Sequence, residues 1–358
     1  MRIGIDAREL CGHATGAGRY LSGLLQQWAA AVAPPRHELI LYAPERLEVE
    51  PHWRGLTMRL VEGAGTWWEQ VRLPKAAAAD RLDVFFAPAY TAPLRLRVPT
   101  VVAIHDVSFV AHPEWFRRRE GTRRRLLTRL SARRARAVVT ISEFSRRELI
   151  ERLHLPGNRV HVIPPGISPA ADSLAGPREP RVLFVGSIFN RRRLPDLVRA
   201  FGIVARRRPQ ASLDLVGDNR THPHQDLEQA IAAEGLDGRI RWHRFVPDGQ
   251  LRELYGRARA FAFLSEYEGL GLTPLEALAA GVPPVLLDTP VARESCGEAA
   301  LYVDAGDVAG AAEALERLLA DEETRSRLLA AAPAALARYQ WPEAARRTLA
   351  LIERAGTS

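Results

Sequence analysis

Short apolar runs recur along this chain, each followed by a stretch with helical spacing, and that alternation leaves few ways to bury it. IGID (3–6), ELILYA (38–43), DVFFAP (83–88), TVVAIHD (100–106), AVVTIS (137–142) and VHVIPPG (160–166) form one series. RVLFVG (181–186), SLDLVG (212–217), IRWHRFV (240–246), AFAFLS (260–265) and PPVLLD (283–288) form a second. Strands separated by helices pair in parallel, with helices on both faces, so the expectation is an α/β chain of two such domains. Its 358 residues exceed what a single core usually fills, and 47% apolar content supplies two. SPAADSLAGPREP (168–180) is rich in Pro, Ala and Ser and has no periodicity, so it reads as the linker. The expected domains are 1–168 and 181–340, joined through 169–180. Loops at strand carboxyl ends would carry the ligand site, in a cleft that the two domains face.

The most informative of those loops is EYEGLGLTPLEALAAG (266–281), in which Glu268 and Glu276 bracket a turn containing Gly269, Leu270, Gly271, Leu272 and Thr273. Glycines here leave backbone N–H groups uncovered, and the helix that follows adds its positive end, which together make an anion site. Thr273-Pro274-Leu275-Glu276 reads as a helix start, with Thr273 as N-cap and Glu276 closing a capping box. Glu276 thus has two readings, a cap or a ligand group; Glu268, before the glycines, calls for hydroxyls to bind. In VGSIFNRRR (185–193), Gly186 and Ser187 open a loop after a strand, and Arg191, Arg192 and Arg193 stand where it turns into a helix. A guanidinium fork matches a diphosphate, although a solvated arginine run is the plainer alternative. His105-Asp106 ends an apolar run in the first half, where a histidine serves either the structure or a site. Gly16 and Gly18 precede a helix expected to begin near Arg19; they suit either phosphate or sugar contact or close strand–helix packing, and they do not complete a dinucleotide fingerprint.

Several classes are excluded. No two aspartates stand two positions apart, so there is no D-x-D to carry a metal on a diphosphate, and there is no P-loop, no G-x-S-x-G and no H-E-x-x-H. No metal or cofactor is expected. Cys11 and Cys296 are the only cysteines and provide no disulfide framework. MRIGIDAREL has no apolar targeting region, and no run approaches the ~18 apolar residues of a membrane span, so a cytoplasmic chain is expected. The net charge is +8 with Lys75 the only lysine. Ten arginines and one acid, Glu120, lie between Arg117 and Arg136, interleaved with Leu126, Leu127 and Leu130. Either the leucines face the core under a solvated basic back, or residues 117–136 lie on an anionic membrane surface. Nucleic-acid binding would need aromatics among those arginines, and none is present.

E-G-L-G-L-T-P-L-E, from Glu268 to Glu276, resembles the paired-glutamate signature of glycosyltransferase family 4, retaining enzymes of the GT-B fold with two Rossmann-like domains. IGIDAREL, TGAGRYL, VVAIHDVSFVAHPEWF, VVTISEFSRREL, VHVIPPGI, LFVGSIFNRRRLPDLVRAF and ALYVDAGD extend the likeness along almost the whole chain. The resemblance implies transfer of a sugar from a GDP- or UDP-linked nucleotide diphosphate donor, without metal, to a glycan or lipid-linked acceptor of surface polysaccharide assembly. Mannose is the first expectation, from the opening motif. It further implies Glu276 on the ribose, Glu268 and the Gly269–Gly271 amides on the moving sugar, and Leu272 and Thr273 amides on the phosphate. Arg191 and Arg192 would clamp the diphosphate, His105 would lie near the reacting sugar, and Gly16 and Gly18 beside the diphosphate and acceptor. Two departures stand out: Arg192 replaces the usual lysine, and Ser187 stands where many relatives have a second arginine. QWPEAARRTLALIERA (340–355) would be the last helix crossing back to the first domain. A phosphorylase or epimerase with the same fold is the alternative reaction.

Overall fold

The computed structural model describes residues 1–12, 16–30, 37–47, 53, 55–168, 177–236 and 238–357. Most of the expected linker, 169–176, lies outside these, as do residues 13–15 just before Gly16. The chain divides into two compact units, one of Met1–Pro113, Arg118–Gly166 and Tyr339–Ser358, the other of Glu114–Arg117 and Ile167–Arg338.

Among the described residues the first unit has a seven-stranded parallel sheet: β1 (Arg2–Asp6), β2 (Glu38–Ala43), β3 (Thr57–Leu60), β4 (Val84–Ala87), β5 (Thr100–Ala103), β6 (Ala137–Thr140) and β7 (Val160–Val162), in the order β3-β2-β1-β4-β5-β6-β7. The second has six parallel strands: β8 (Arg181–Val185), β9 (Ser212–Val216), β10 (Ile240–His243), β11 (Ala260–Phe263), β12 (Pro284–Leu287) and β13 (Leu301–Val303), in the order β10-β9-β8-β11-β12-β13. The central strands are buried on both faces, which is why they read as continuous apolar runs and not as alternations. β3 escapes that pattern. Its sequence, TMRL, is an edge strand with Arg59 and Leu60 exposed, so it carries too little apolar signal to be read as a strand.

Each sheet winds outward in one direction and then restarts on the other side of its first strand. The reversal falls between β1 and β4 in one unit and between β8 and β11 in the other. Loops leaving adjacent strands there go to opposite faces of the sheet, and the gap between them is where open α/β sheets bind ligands.

The helix Trp341–Thr357 packs in the first unit, against β4, β5 and the helix Gly16–Ala30. Its apolar stripe, including Ala345, Leu351, Ile352 and Ala355, joins the core built on β1 and β2. Trp28 Nε1 donates to the Ala345 carbonyl at 3.0 Å. Trp341 lies so close over Gly23 and Gly166 that a Cβ at either would collide with it, and at Gly166 the collision includes the Trp341 backbone. Because backbone cannot swing aside as a side chain can, Gly166→Ala should destabilise by about 1–3 kcal/mol. Urea unfolding followed by tryptophan fluorescence measures this; an unchanged midpoint would mean that the helix relocates freely.

The basic segment differs from one of its two readings. In the helix Arg118–Arg134 the buried residues are Gly121, Thr128, Ser131 and Ala132, whereas Leu126 is 58% and Leu130 40% exposed. Small residues let the helix approach the sheet closely, and the leucines are left on the outer face with the arginines.

Candidate active site

The loops after β8 and β11 meet at the reversal point of the second unit. After β8 the chain turns at Gly186 (φ 141°), passes Ser187 and forms a 3-10 turn, Asn190–Arg192. Arg193 then takes a left-handed conformation (φ 47°) ahead of the helix Leu194–Arg207. Arg192 folds back over Gly186, whose missing Cβ leaves the room its guanidinium needs. Arg192 Nη1 donates to the Ser187 carbonyl at 2.7 Å and Nε to Glu268 Oε1 at 2.9 Å. Arg191 Nε donates to the Tyr267 carbonyl at 3.0 Å and lies 3.6 Å from Glu268 Oε1. Behind them, Phe189 and Phe263 present their rings to the guanidiniums, with Arg191 4.4 Å from the Phe189 centroid and Arg192 4.8 Å from that of Phe263. Such contacts fix a flat cation without neutralising it.

Glu268 is the acid of this cluster. Ser265 Oγ donates to the same Oε1 at 2.9 Å, and the side chain is 15% exposed. Burial alone would push its carboxyl up, but Arg192 and Arg191 beside it, with the hydrogen bonds from Arg192 and Ser265, hold it below the usual carboxylate range. The carboxylate is therefore ionised at neutral pH, poised to accept from hydroxyls. Arg193 ties the two loops together through Glu266 and pairs locally with Asp196 in the helix that follows it. Ser265 is a contributor that sequence reasoning passed over, and Arg193, read in sequence as part of the arginine run, pairs instead with Glu266; both roles depend on a loop–loop contact that no spacing reveals.

The helix after the glycines starts earlier than its sequence suggests. Gly271 adopts φ 84° and stands in the N-cap position, so the helix is Leu272–Ala279 and makes no side-chain cap. Thr273 lies inside the first turn, its hydroxyl buried without a partner among the described residues. The capping box is therefore not formed, and Glu276 is placed instead with Oε2 3.5 Å from the Tyr255 hydroxyl. The N–H groups of Leu272 and Thr273 belong to the turn that has no intrahelical acceptors.

In the first unit, His105 follows β5 and is 8% exposed. Its Nε2 is 2.9 Å from the Pro88 carbonyl, and since a carbonyl only accepts, Nε2 carries the proton. Burial lowers its pKa below the ordinary histidine value, so the ring is neutral at pH 7 with its second nitrogen as an acceptor. The Tyr20 and Tyr90 rings meet it edge-on, at 4.8 and 5.6 Å between centroids. Tyr90 itself holds a left-handed backbone (φ 62°), uncommon for a bulky residue, and donates its hydroxyl to Asp106 at 2.8 Å. Gly16 and Gly18 differ from expectation: both lie within the helix Gly16–Ala30 and not in a loop before Arg19.

The family described as glycosyl transferases group 1 matches residues 170–334, and glycosyltransferase family 4 matches residues 14–171. The GDP-mannose:cellobiosyl-diphosphopolyprenol alpha-mannosyltransferase of Xanthomonas campestris is 30% identical over 263 residues, covering 71% of this chain and 67% of that protein. The O-antigen chain mannosyltransferase B of Escherichia coli is 26% identical over 282 residues, 74% of this chain and 73% of that one. The sucrose-phosphate synthase of Thermosynechococcus elongatus superposes with a TM-score of 0.79 over 99% of this chain and 98% of that chain, at 19% identity. The chain belongs to the group 1 glycosyltransferases, family 4, with the GT-B fold of two Rossmann-like domains. It is a sugar-transferring enzyme.

Glu268→Gln removes the charge and keeps the shape. A carboxyl held below its usual range contributes stability above the unfolded value, and that contribution is lost as pH falls through the folded one. The variant should be less stable by about 1.5–3 kcal/mol at pH 7, with the gap closing below the usual carboxylate range. Melting curves from pH 7 downward check it; a gap independent of pH would contradict the ionised pair.

Proposed function

We propose that this glycosyltransferase moves mannose from GDP-mannose, with retention of configuration and without a metal, to a glycan or lipid-linked acceptor of surface polysaccharide. The observation that carries the reading is the paired arginine loop and Glu268 at the reversal point of the second unit, in a chain similar to the two mannosyltransferases named above. Arg191 and Arg192 would receive the diphosphate and stabilise the charge that grows on it as the sugar departs. Amides of Gly269 to Thr273 would support the sugar and phosphate, Glu268 the sugar hydroxyls, and Glu276 the ribose. The neutral His105 would offer an acceptor nitrogen to a hydroxyl. The acceptor would then attack from the face the leaving group vacates.

Calorimetric titration tests the assignments. Arg192→Ala should weaken GDP binding by about 1.5–3 kcal/mol and guanosine far less, with transferase activity unaffected by EDTA. Glu276→Ala should weaken GDP to a similar extent with little change in melting temperature, since no cap is lost. Equal weakening of nucleoside and diphosphate in Arg192→Ala, or activity lost on chelation, would contradict the clamp.

The lipid-linked reading draws on the outer face of the helix Arg118–Arg134. Arg119, Arg123, Leu126, Leu130 and Arg133 follow one another at spacings of three and four, and all are exposed. Trp67, 66% exposed, stands next to Thr66, whose hydroxyl accepts from Arg123 at 3.0 Å. Leucines and a tryptophan among arginines suit an interfacial helix on anionic lipid, at about 1 kcal/mol per basic residue. Arg124 does not belong to this face, its guanidinium lying 4.4 Å over the Tyr90 ring. No helix among the described residues is long and apolar enough to cross a membrane. Changing Arg119, Arg123 and Arg133 to Glu should abolish co-sedimentation with phosphatidylglycerol vesicles at low salt and leave GDP affinity unchanged. Unmodified protein that ignores such vesicles would make this face merely solvated.

A further inference from the structure

One member of the arginine run has a place that neither the solvated nor the membrane reading of that run explains. Arg124 turns inward from the helix Arg118–Arg134 and is half-buried. Its guanidinium lies 4.4 Å from the centroid of the Tyr90 ring and 4.7 Å from that of Phe109. The two rings meet edge to face at 6.0 Å, so a single cation covers both. Attraction between a cation and a ring face holds the ring in one orientation.

Tyr90 is a residue that needs holding. A left-handed backbone (φ 62°) is costly for a bulky side chain and persists only where the surroundings over-determine it, as they do at functional sites. Besides the cation, its amide donates to the Ala103 carbonyl at the end of β5 at 2.7 Å, and its hydroxyl to Asp106 Oδ2 at 2.8 Å. Asp106 is fixed in turn, because its Oδ1 accepts from the Ser108 amide and hydroxyl at 2.8 and 2.6 Å. The next residue, Thr91, is anchored separately. Its hydroxyl donates to Glu69 at 2.5 Å, and Glu69 accepts at 2.6 Å from Arg8, which also pairs with Asp6.

Tyr90 therefore stands between a fixed Thr91 and the Pro88 carbonyl, which accepts from His105 Nε2 at 2.9 Å. Relaxing φ at Tyr90 to an ordinary negative value rotates the peptide before it. With Thr91 anchored, the displacement falls on Ala89 and Pro88, and the bond that fixes the His105 proton goes with it. The same movement takes the Tyr90 ring off the His105 ring, 5.6 Å away between centroids. The His105 carbonyl stays, held by the Ser145 hydroxyl at 2.9 Å, so the backbone remains while the imidazole is freed to turn.

We infer that Arg124 is a positioning residue for the transfer: its guanidinium keeps Tyr90 left-handed, and Tyr90, through the Pro88 carbonyl, holds His105 with its proton on Nε2 and Nδ1 turned to accept from a hydroxyl. This rests on the reading that His105 serves a reacting hydroxyl in transfer from GDP-mannose.

The test compares Arg124→Met, which keeps an unbranched apolar stem without the charge, with Arg124→Lys, which keeps a cation for the ring. NMR of the full chain with labelled histidine, using His105→Asn to assign the line, reads the Nε2–H proton without any substrate. It should be a slowly exchanging line in wild type and Arg124→Lys, and exchange-broadened in Arg124→Met. Turnover is read as GDP release from GDP-mannose with methyl α-D-mannopyranoside as acceptor. In Arg124→Met kcat should fall about tenfold, with the KM for GDP-mannose and the calorimetric affinity for GDP unchanged, and Arg124→Lys should recover it. In a Tyr90→Leu background the same substitution should add little, since the contact it removes is already gone. The inference is overturned if either readout stays at wild type in Arg124→Met, if lysine fails to restore both, or if the effects add in Tyr90→Leu. Weaker GDP binding, or a raised KM with kcat intact, overturns it as well, by making Arg124 a ligand contact. Wild type that releases no GDP from GDP-mannose sinks the donor reading by itself, and the Nε2–H line then decides alone whether Arg124 positions His105.

Discussion

The contact between Arg192 and Glu268 is the interaction around which the second unit's site is organised. It joins the loop after β8 to the loop after β11 across the point where strand order reverses. Two ionised groups with little exposure tolerate each other there because each has further partners: Ser187 and Phe263 for the arginine, Ser265 for the acid. Without such partners a buried charge is costly. Several otherwise arbitrary choices follow from it. Gly186 lacks a side chain because Arg192 occupies its space, and Arg193 accepts a left-handed backbone in order to reach Glu266.

A parallel arrangement occupies the other unit, reached by a different route. There too an arginine and an acid meet across the reversal, between β1 and β4, and there too the loops are cross-linked by side chains. The difference lies in the charge. In the second unit two arginines face one carboxylate, leaving positive charge available to an anion; in the first, one arginine faces two carboxylates. The same sheet geometry can thus carry different ratios of arginine to carboxyl groups at its reversal, and the fold alone does not say which.

The outer helix of the first unit connects the site with the surface. Arg124 turns inward to lie over Tyr90 and Phe109 while Arg119, Arg123 and Arg133 remain outside. Runs of arginine therefore hold members with unrelated work, and their number by itself carries little information in a chain with one lysine.

Strand order within the chain, the α/β class and the loops that carry chemistry were legible because they depend on local pattern: buried parallel strands are continuous apolar runs, and glycines and helix starts mark the turns after them. The paired glutamates and the arginine run were visible for the same reason. The helix boundary at Gly271 was not, because the local threonine and proline signal was overridden by a glycine whose left-handed conformation starts the helix two residues sooner. The exposure of Leu126 and Leu130 was hidden as well, since helical spacing says that residues share a face and not which face the sheet covers. Least legible was the grouping of Asp6 and Arg8 with Glu69 and Thr91, three segments far apart in sequence that meet only because β1 and β4 pair side by side. The sequence determined the elements and the chemistry each could offer; the tertiary structure alone decided which charges would stand together, because that depends on the order in which strands pair.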